Sequence, residues 1–455
     1  MDDQRTTFIF KGYDIDLKQG TADFHYEVRL PDKVRLFSER LTFGADYAAS
    51  ISVNEETLAP ILESLLLTLG ISYWKLHCPT TMVIEPFTLS KKQAEFWNTV
   101  YTKGLGEFYF KNKIDFRGLV NFPYSETKSS SCAAVPLTEG EQAGRSLLLF
   151  GGGKDSLVSA ELLKAAKKSF SVYTLNDYPF QHKAIEELGA EHINMKRELD
   201  AQILSPAGRE GTYKGHVPVS LIYAFTAALA CAIYGYEYVV ASNEETASYG
   251  NTTYLGMEIN HQWSKSLECE RLVQNYLHSF VDSGITYFSL LRPFKEIDIM
   301  RFFSRYPQYF RLFVSCNRNF TAGDHGENFF WCGMCPKCLF VFALMAAFIS
   351  KKELVEIFGQ NLFADPLRIP LYKELLGLEA MKPFECVGTP EETQVAFYRA
   401  YKNGEYRDDA VMQMFSDAFS KNLDSIAAMS ELPVMLSTSH LIPQSFQPAI
   451  TYLCQ

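Results

Sequence analysis

The chain has 455 residues, of which 47% are hydrophobic and 14% aromatic, enough to fill large cores and unlike a disordered chain. That length exceeds one compact domain and implies two or three. A formal net charge of −10 and a pI near 5.5 argue against a nucleic-acid partner, because phosphate neutralisation needs a basic face.

At the N-terminus, MDDQRTTFIF has no basic stretch ahead of an apolar core and cleavage site, so no secretory signal is expected. Residues 1–130 read as a β-rich N-terminal region. Segments 8–10, 22–29 and 34–43 are short runs of aromatic and β-branched residues parted by turn-prone Lys-Gly and Pro-Asp pairs. Segments 58–69 and 91–103 read as helices. Segment 125–144, rich in Ser, Thr, Gly and Glu, reads as a linker.

From Arg145 the texture alternates. Strands are expected at 146–150, 170–175, 190–194 and 238–241, and helices at 157–168, 177–188 and 218–234. Such alternation predicts an α/β fold, a doubly wound parallel sheet with right-handed crossovers, over residues 145–350. The longest apolar run, 339–349, is far short of the roughly 20 residues that cross a bilayer, so no membrane partner is expected. Residues 351–455 read as a helical C-terminal region with proline breaks at 365–366 and 381–384. Ten cysteines without a signal sequence point to a reducing, cytoplasmic setting. Nothing in the sequence specifies an oligomeric state.

The stretch LLLFGGGKDSLVSA sets Gly151, Gly152, Gly153, Lys154, Asp155 and Ser156 between a predicted strand and a predicted helix. A glycine turn at a helix N-terminus aims backbone N–H groups at an anion, and Lys154 and Ser156 add a cation and a hydroxyl. A kinase-type loop would place the hydroxyl directly after the lysine; here Asp155 intervenes. The form resembles the S-G-G-x-D-S loop of the PP-loop ATP pyrophosphatases, with Gly151 where their first Ser stands. The resemblance implies a HUP-like domain that cleaves ATP between the α- and β-phosphates and adenylates its substrate, with Lys154 and Asp155 in the catalytic loop.

Ligands of open parallel sheets sit beyond the C-terminal strand ends. The second strand ends at Thr174 and Asn176; the resemblance to the PP-loop enzymes implies adenine and ribose contacts at that strand end, and an ordinary turn is an equal alternative. After the strand at 238–241 comes SNEETASYGN, where Glu244 or Glu245 could hold Mg2+ on the phosphates or simply face solvent. His261, close in sequence to Lys265, is a candidate general acid/base, with a structural role as the alternative. Cys316, followed by Cys332, Cys335 and Cys338 in CGMCPKC, can close a tetrahedral Zn2+ site. Free buried thiols and a redox pair are the competing readings. The spacing resembles the zinc cluster of the PP-loop enzyme that makes preQ0 for tRNA queuosine.

Taken together, FGGGKDS, SNEE, NHQWSKS, CNRNF, WCGMCPKC and KPFECVG resemble the MurL family over most of the chain. MurL enzymes are UDP-N-acetyl-α-D-muramoyl-L-alanyl-L-glutamate epimerases. The resemblance implies ATP as cosubstrate, a UDP-muramoyl dipeptide as small-molecule substrate, and inversion of its terminal L-glutamate with release of AMP and diphosphate. The chemistry suits the loop. A carbanion beside a carboxylate places two negative charges together, and converting that carboxylate to an acyl-adenylate removes one. Inversion needs groups on both faces of the α-carbon. His261, Cys386 and Glu385 have suitable chemistry, although a structural role competes for Cys386. Arg292, Arg318 and Lys337 suit the substrate's anionic groups. The alternatives are a PP-loop enzyme of nucleoside or tRNA modification and a non-catalytic nucleotide- or zinc-binding protein.

Overall fold

The computed structural model describes residues 6–44, 54–128, 144–176, 178–205, 207–320, 331–379 and 381–453. Most of the expected linker at 125–144 lies outside the described residues.

Strands β1 (Thr7–Asp16), β2 (Thr21–Arg29), β3 (Val34–Thr42) and β4 (Thr81–Ile84) come from the first 130 residues. Strands β5 (Ser146–Leu149), β6 (Phe170–Leu175), β7 (Glu191–Glu198), β8 (Tyr238–Ala241) and a later β11 (Thr286–Ser289) follow; β9 (Thr252–Tyr254) and β10 (Met257–Ile259) form a separate small hairpin. The main sheet runs β11-β8-β5-β6-β7-β3-β2-β1-β4. Its first five strands are parallel. Antiparallel pairing of Arg40–Thr42 with Lys196–Glu198 joins β3 to β7, so the N-terminal strands extend this sheet.

The parallel strands alternate their side chains between two apolar layers, as a period of two requires. Leu147, Tyr173, Val239 and Tyr287 enter the layer that holds α1 (Glu55–Trp74), α2 (Lys91–Lys103), α3 (Gly106–Asn112) and, later in the chain, α7 (Val219–Tyr234) and α8 (Leu267–Tyr276). Leu148, Val172, Val240 and Phe288 enter the other. That second layer holds α4 (Lys154–Ala165), α5 (Pro179–Leu188), α9 (Glu296–Phe303) and α10 (Pro336–Ala346). A one-turn helix, α6 (Ala201–Leu204), follows β7. Beyond α10 come α11 (Lys351–Phe358), α12 (Ile369–Leu375), α13 (Pro390–Asn403), α14 (Ala410–Ala418), α15 (Leu423–Glu431) and α16 (Gln447–Leu453), which bury against the second layer. The fold is therefore α/β with a helical C-terminal region, as read from sequence.

Helix α1 is longer than expected because Asn54 caps it: Asn54 Oδ1 accepts from Thr57 N–H at 2.9 Å, and Thr57 Oγ1 accepts from Asn54 N–H at 3.2 Å. Its 20 residues are long and apolar enough to cross a membrane by length and composition alone. Glu63, midway along, hides this from a search for unbroken apolar runs. Within the fold the helix is a core element, with Leu62, Leu65, Leu66, Leu69 and Trp74 fully buried.

Candidate active site

The chain leaves β5 toward β6 and β7 on one side and returns to β8 on the other. The crevice beyond the C-terminal ends of β5 and β8 is the switch point where doubly wound sheets bind ligands. The glycine loop follows β5 and the SNEE segment follows β8.

Gly152 has a left-handed φ of +76°, and a Cβ there would lie 2.9 Å from the Phe180 ring, so only glycine fits. Gly153 caps α4, which begins at Lys154 rather than at the expected residue 157. Lys154, Asp155 and Ser156 thus form its first turn, where free N–H groups favour an anion. The Ser156 hydroxyl donates to Gly153 O at 3.0 Å, and Val314 N–H donates to Gly152 O at 3.1 Å, bracing the turn from behind. Gly151 is exposed at the open side.

Lys154 is buried and pairs with both Asp155 and Glu296 of α9. Burial opposes its charge, but the two carboxylates outweigh that and raise its pKa. Burial pushes Glu296 up to about 8. Burial likewise opposes the charge on Asp155, which Lys154, Lys337 and Lys265 hold below the usual carboxylate range. Glu392 of α13 caps this arrangement by accepting from Glu296 N–H at 2.6 Å.

Glu244 is buried beside the crevice and Glu245 is partly exposed. Arg292 is not a substrate-facing group. It is 1% exposed, pairs with Glu270 at 2.8 Å, and donates to the backbone oxygens of Glu244 and Lys265 at 2.5 Å each. Its role is to hold two site segments together. Thr174 is fully buried, with its hydroxyl engaged by His192 and by Asn194 Nδ2, each at 2.7 Å. Asn176 adopts φ +70° and accepts from Arg197 N–H at 2.7 Å, ending β6 against β7. Both residues have structural work at the strand end.

Across the crevice lies a cluster that sequence only partly disclosed. His261 Nδ1 contacts the Glu107 carboxylate of α3, and the Cys386 thiol lies near enough to the same imidazole to favour its charged form. Lys265 Nζ donates to Cys386 Sγ at 3.4 Å, and Lys337 Nζ donates to Cys386 O at 2.6 Å. Burial opposes the Cys386 thiolate, but Lys265, His261 and Lys337 bring its pKa down to about 5. Burial opposes the His261 cation, but Cys386 and Glu107 raise it to about 9. His216, its ring centroid 4.8 Å from that of His261, is lowered by burial to about 4. Glu107 is held at about 2: burial opposes its charge, and His261, Lys111 and His216 overcome it. Glu107, His216 and His261 bring ligand-type atoms within 4.8 Å of one another. With His261 already in contact with a carboxylate, the three also make a candidate acid–base set. Opposed pKa values on neighbouring groups mark such machinery. Glu107 and His216 carried no recognisable sequence signal, since neither lies in a motif.

Cys316, Cys332, Cys335 and Cys338 converge, with all four sulfurs within 4.8 Å of one another. Cys335 and Cys338 are 3.4 Å apart and Cys332 and Cys338 3.6 Å apart, and none of the four is in a disulfide. A tetrahedral ion with bonds of about 2.3 Å separates its sulfurs by about 3.8 Å, so the set fits zinc. Cys338 N–H also donates to Cys335 Sγ at 3.5 Å, a contact that favours thiolate ligands.

Residues 1–290 match the MurL N-terminal domain and residues 312–430 the MurL C-terminal domain. A protein of Micromonospora sp. is 35% identical over 438 residues, covering 96% of each chain. One of Salinispora tropica is 34% identical over 425 residues, covering 93% of this chain and 91% of the relative. One of Xanthomonas oryzae pv. oryzae is 33% identical over 441 residues, covering 97% and 96%. All three are named UDP-N-acetyl-alpha-D-muramoyl-L-alanyl-L-glutamate epimerase. With both halves matched and likeness running nearly end to end, this chain belongs to the MurL family.

Proposed function

We propose that the protein is an ATP-dependent epimerase. It inverts the terminal L-glutamate of UDP-MurNAc-L-Ala-L-Glu through an acyl-adenylate, releasing AMP and diphosphate for peptidoglycan synthesis in the cytoplasm. The observation that carries this reading is the junction between the glycine loop and the acid–base cluster. Lys265 and Lys337 reach Cys386 by hydrogen bonds at 3.4 and 2.6 Å, and the same two ammonium groups favour the charged form of Asp155 in the loop. A carboxylate activated at the loop would then meet a thiol and an imidazole of shifted proton affinity. The relatives' names supply the substrate class.

In this mechanism the helix N-terminus and Lys154 hold the departing diphosphate. Glu244 and Asp155 would hold Mg2+, which would offset phosphate charge. Zinc in the four-thiol cluster would brace the loop, because Cys316 closely follows Val314, the residue bonded to Gly152 O. A nucleoside-modifying role lacks a comparable observation. The test is incubation with ATP and UDP-MurNAc-L-Ala-L-Glu, followed by assay of AMP, diphosphate and the configuration of the glutamate. AMP, diphosphate and D-glutamate in equal amounts are expected; AMP without D-glutamate would sink the reading.

A further inference from the structure

Cys386, His261 and Glu107 come from three separate stretches of chain yet stand in a line of thiol, imidazole and buried carboxylate. A nucleophile, a base and a third group orienting the base is the arrangement of covalent acyl transfer. Three other described thiols behave as structural cysteines: burial pushes Cys78 up to about 12 and raises Cys231 and Cys269 as well. Cys386 differs in being partly exposed and in contact with two cations, Lys265 and His261.

We propose that Cys386 takes the glutamyl group from AMP as an enzyme thioester, with His261 as its proton partner and Glu107 as the residue positioning that imidazole. The proposal rests on the ATP-dependent reading above. Cys386 and His261 are neighbours that shift each other's charge, so they would meet a substrate from one side rather than serve as the two opposed groups that inversion requires. A thiolate held well below the usual thiol range is also a weak base toward carbon, while it remains a nucleophile and a good leaving group. A thioester keeps the α-proton acidic, because its carbonyl carries no carboxylate charge.

The steps balance as follows. Cys386 Sγ attacks the acyl carbon; the C–S bond forms, the C–O bond to the phosphate breaks, and AMP leaves with the electron pair and the imidazolium proton. The α-proton is lost from one face and returned on the other. Water then attacks the thioester carbonyl and gives a proton to the now neutral His261. The C–S bond breaks, the thiolate leaves with its electron pair, and the product carboxyl releases its proton to solvent.

The experiment is acid quench of wild-type protein within the first turnover with ATP and UDP-MurNAc-L-Ala-L-Glu, followed by peptide mass spectrometry. The Cys386 peptide is expected to gain the mass of the substrate less one water, only with ATP, and to lose it with hydroxylamine. Cys386→Ala, checked for folding by its melting temperature, should carry no adduct and make less than about a hundredth of wild-type D-glutamate. His261→Asn should slow adduct formation at least about tenfold. If wild type makes no AMP or D-glutamate from this substrate, the ATP-dependent reading itself fails. If wild type epimerises while its quenched Cys386 peptide is unmodified, or if Cys386→Ala still epimerises, the thioester alone is overturned.

Discussion

Lys337 donates from Nζ to the backbone oxygen of Cys386 at 2.6 Å, while its neighbours Cys335 and Cys338 belong to the thiol cluster. The cluster therefore sets where α10 begins and, through Lys337, where the Cys386 segment rests. Purified protein should contain about one zinc per chain by elemental analysis. Cys335→Ser or Cys338→Ser should lower both zinc content and melting temperature. Metal-free protein that melts at the same temperature and keeps full turnover would remove the cluster from the argument.

Asp155 is held as a carboxylate beside Lys154 in the first turn of α4. Asp155→Ala should lower AMP release at least about tenfold, or roughly 1.4 kcal/mol of barrier. Ser156→Ala should do likewise, having lost the hydroxyl that donates to Gly153 O. Far-ultraviolet circular dichroism should match wild type in both variants, and undiminished AMP release would detach the loop from the chemistry.

The thiolate–imidazolium pair defines a pH window. Cys386 ionises at about 5 and His261 stays protonated up to about 9, so the pair is charged between those values. At pH 6 an ordinary thiol with a pKa near 8.5 is less than about 1% thiolate. Iodoacetamide should therefore alkylate Cys386 at pH 6 nearly as fast as at pH 8, read by peptide mass. Glu107→Gln removes a group that raises His261, so the alkaline limb of the turnover profile should move below about 9. An unchanged limb would mean that Glu107 does not act through His261.

Arg292 and Glu270 are each 1% exposed and form a buried pair. Arg292→Met leaves Glu270 charged without its partner and should cost about 3–5 kcal/mol of stability in denaturant titration. A variant of wild-type stability with a raised KM would instead return Arg292 to the list of substrate contacts.

Proton exchange should follow adenylation. In deuterated water, enzyme with substrate and ATP should place deuterium at the glutamate α-carbon, and ADP should support none. Lys154→Ala should suppress AMP formation and deuteration together, since the same buried ammonium serves the loop. Deuterium incorporated without ATP would reverse the proposed order.

The alternating strands and helices, the glycine loop and the four thiols were legible in sequence because each is a local pattern with its own spacing. The strand-to-loop order also placed Glu244 and Glu245 beside the crevice. The Cys386–His261–Glu107 line was not legible: its members are 154 and 125 residues apart in sequence, and only sheet topology and the C-terminal return bring them together. Arg292 misled for a related reason. A guanidinium that straps two loops and one that grips a substrate look alike until burial is known, and here burial decides. The strand-end residues Thr174 and Asn176 sat where a ligand rule pointed, but their polar groups serve the junction of β6 and β7.

The glycine loop, Glu107, His261 and Lys265 come from the stretch that matches the MurL N-terminal domain, whereas Lys337 and Cys386 come from the C-terminal one. Cys386 is thus inherited with one half and His261 with the other. Recombining either half onto a different companion would part the glycine loop from Cys386. Mutations on the two sides of the crevice should accumulate in compensating pairs, so the genetic unit of this chemistry is the whole chain.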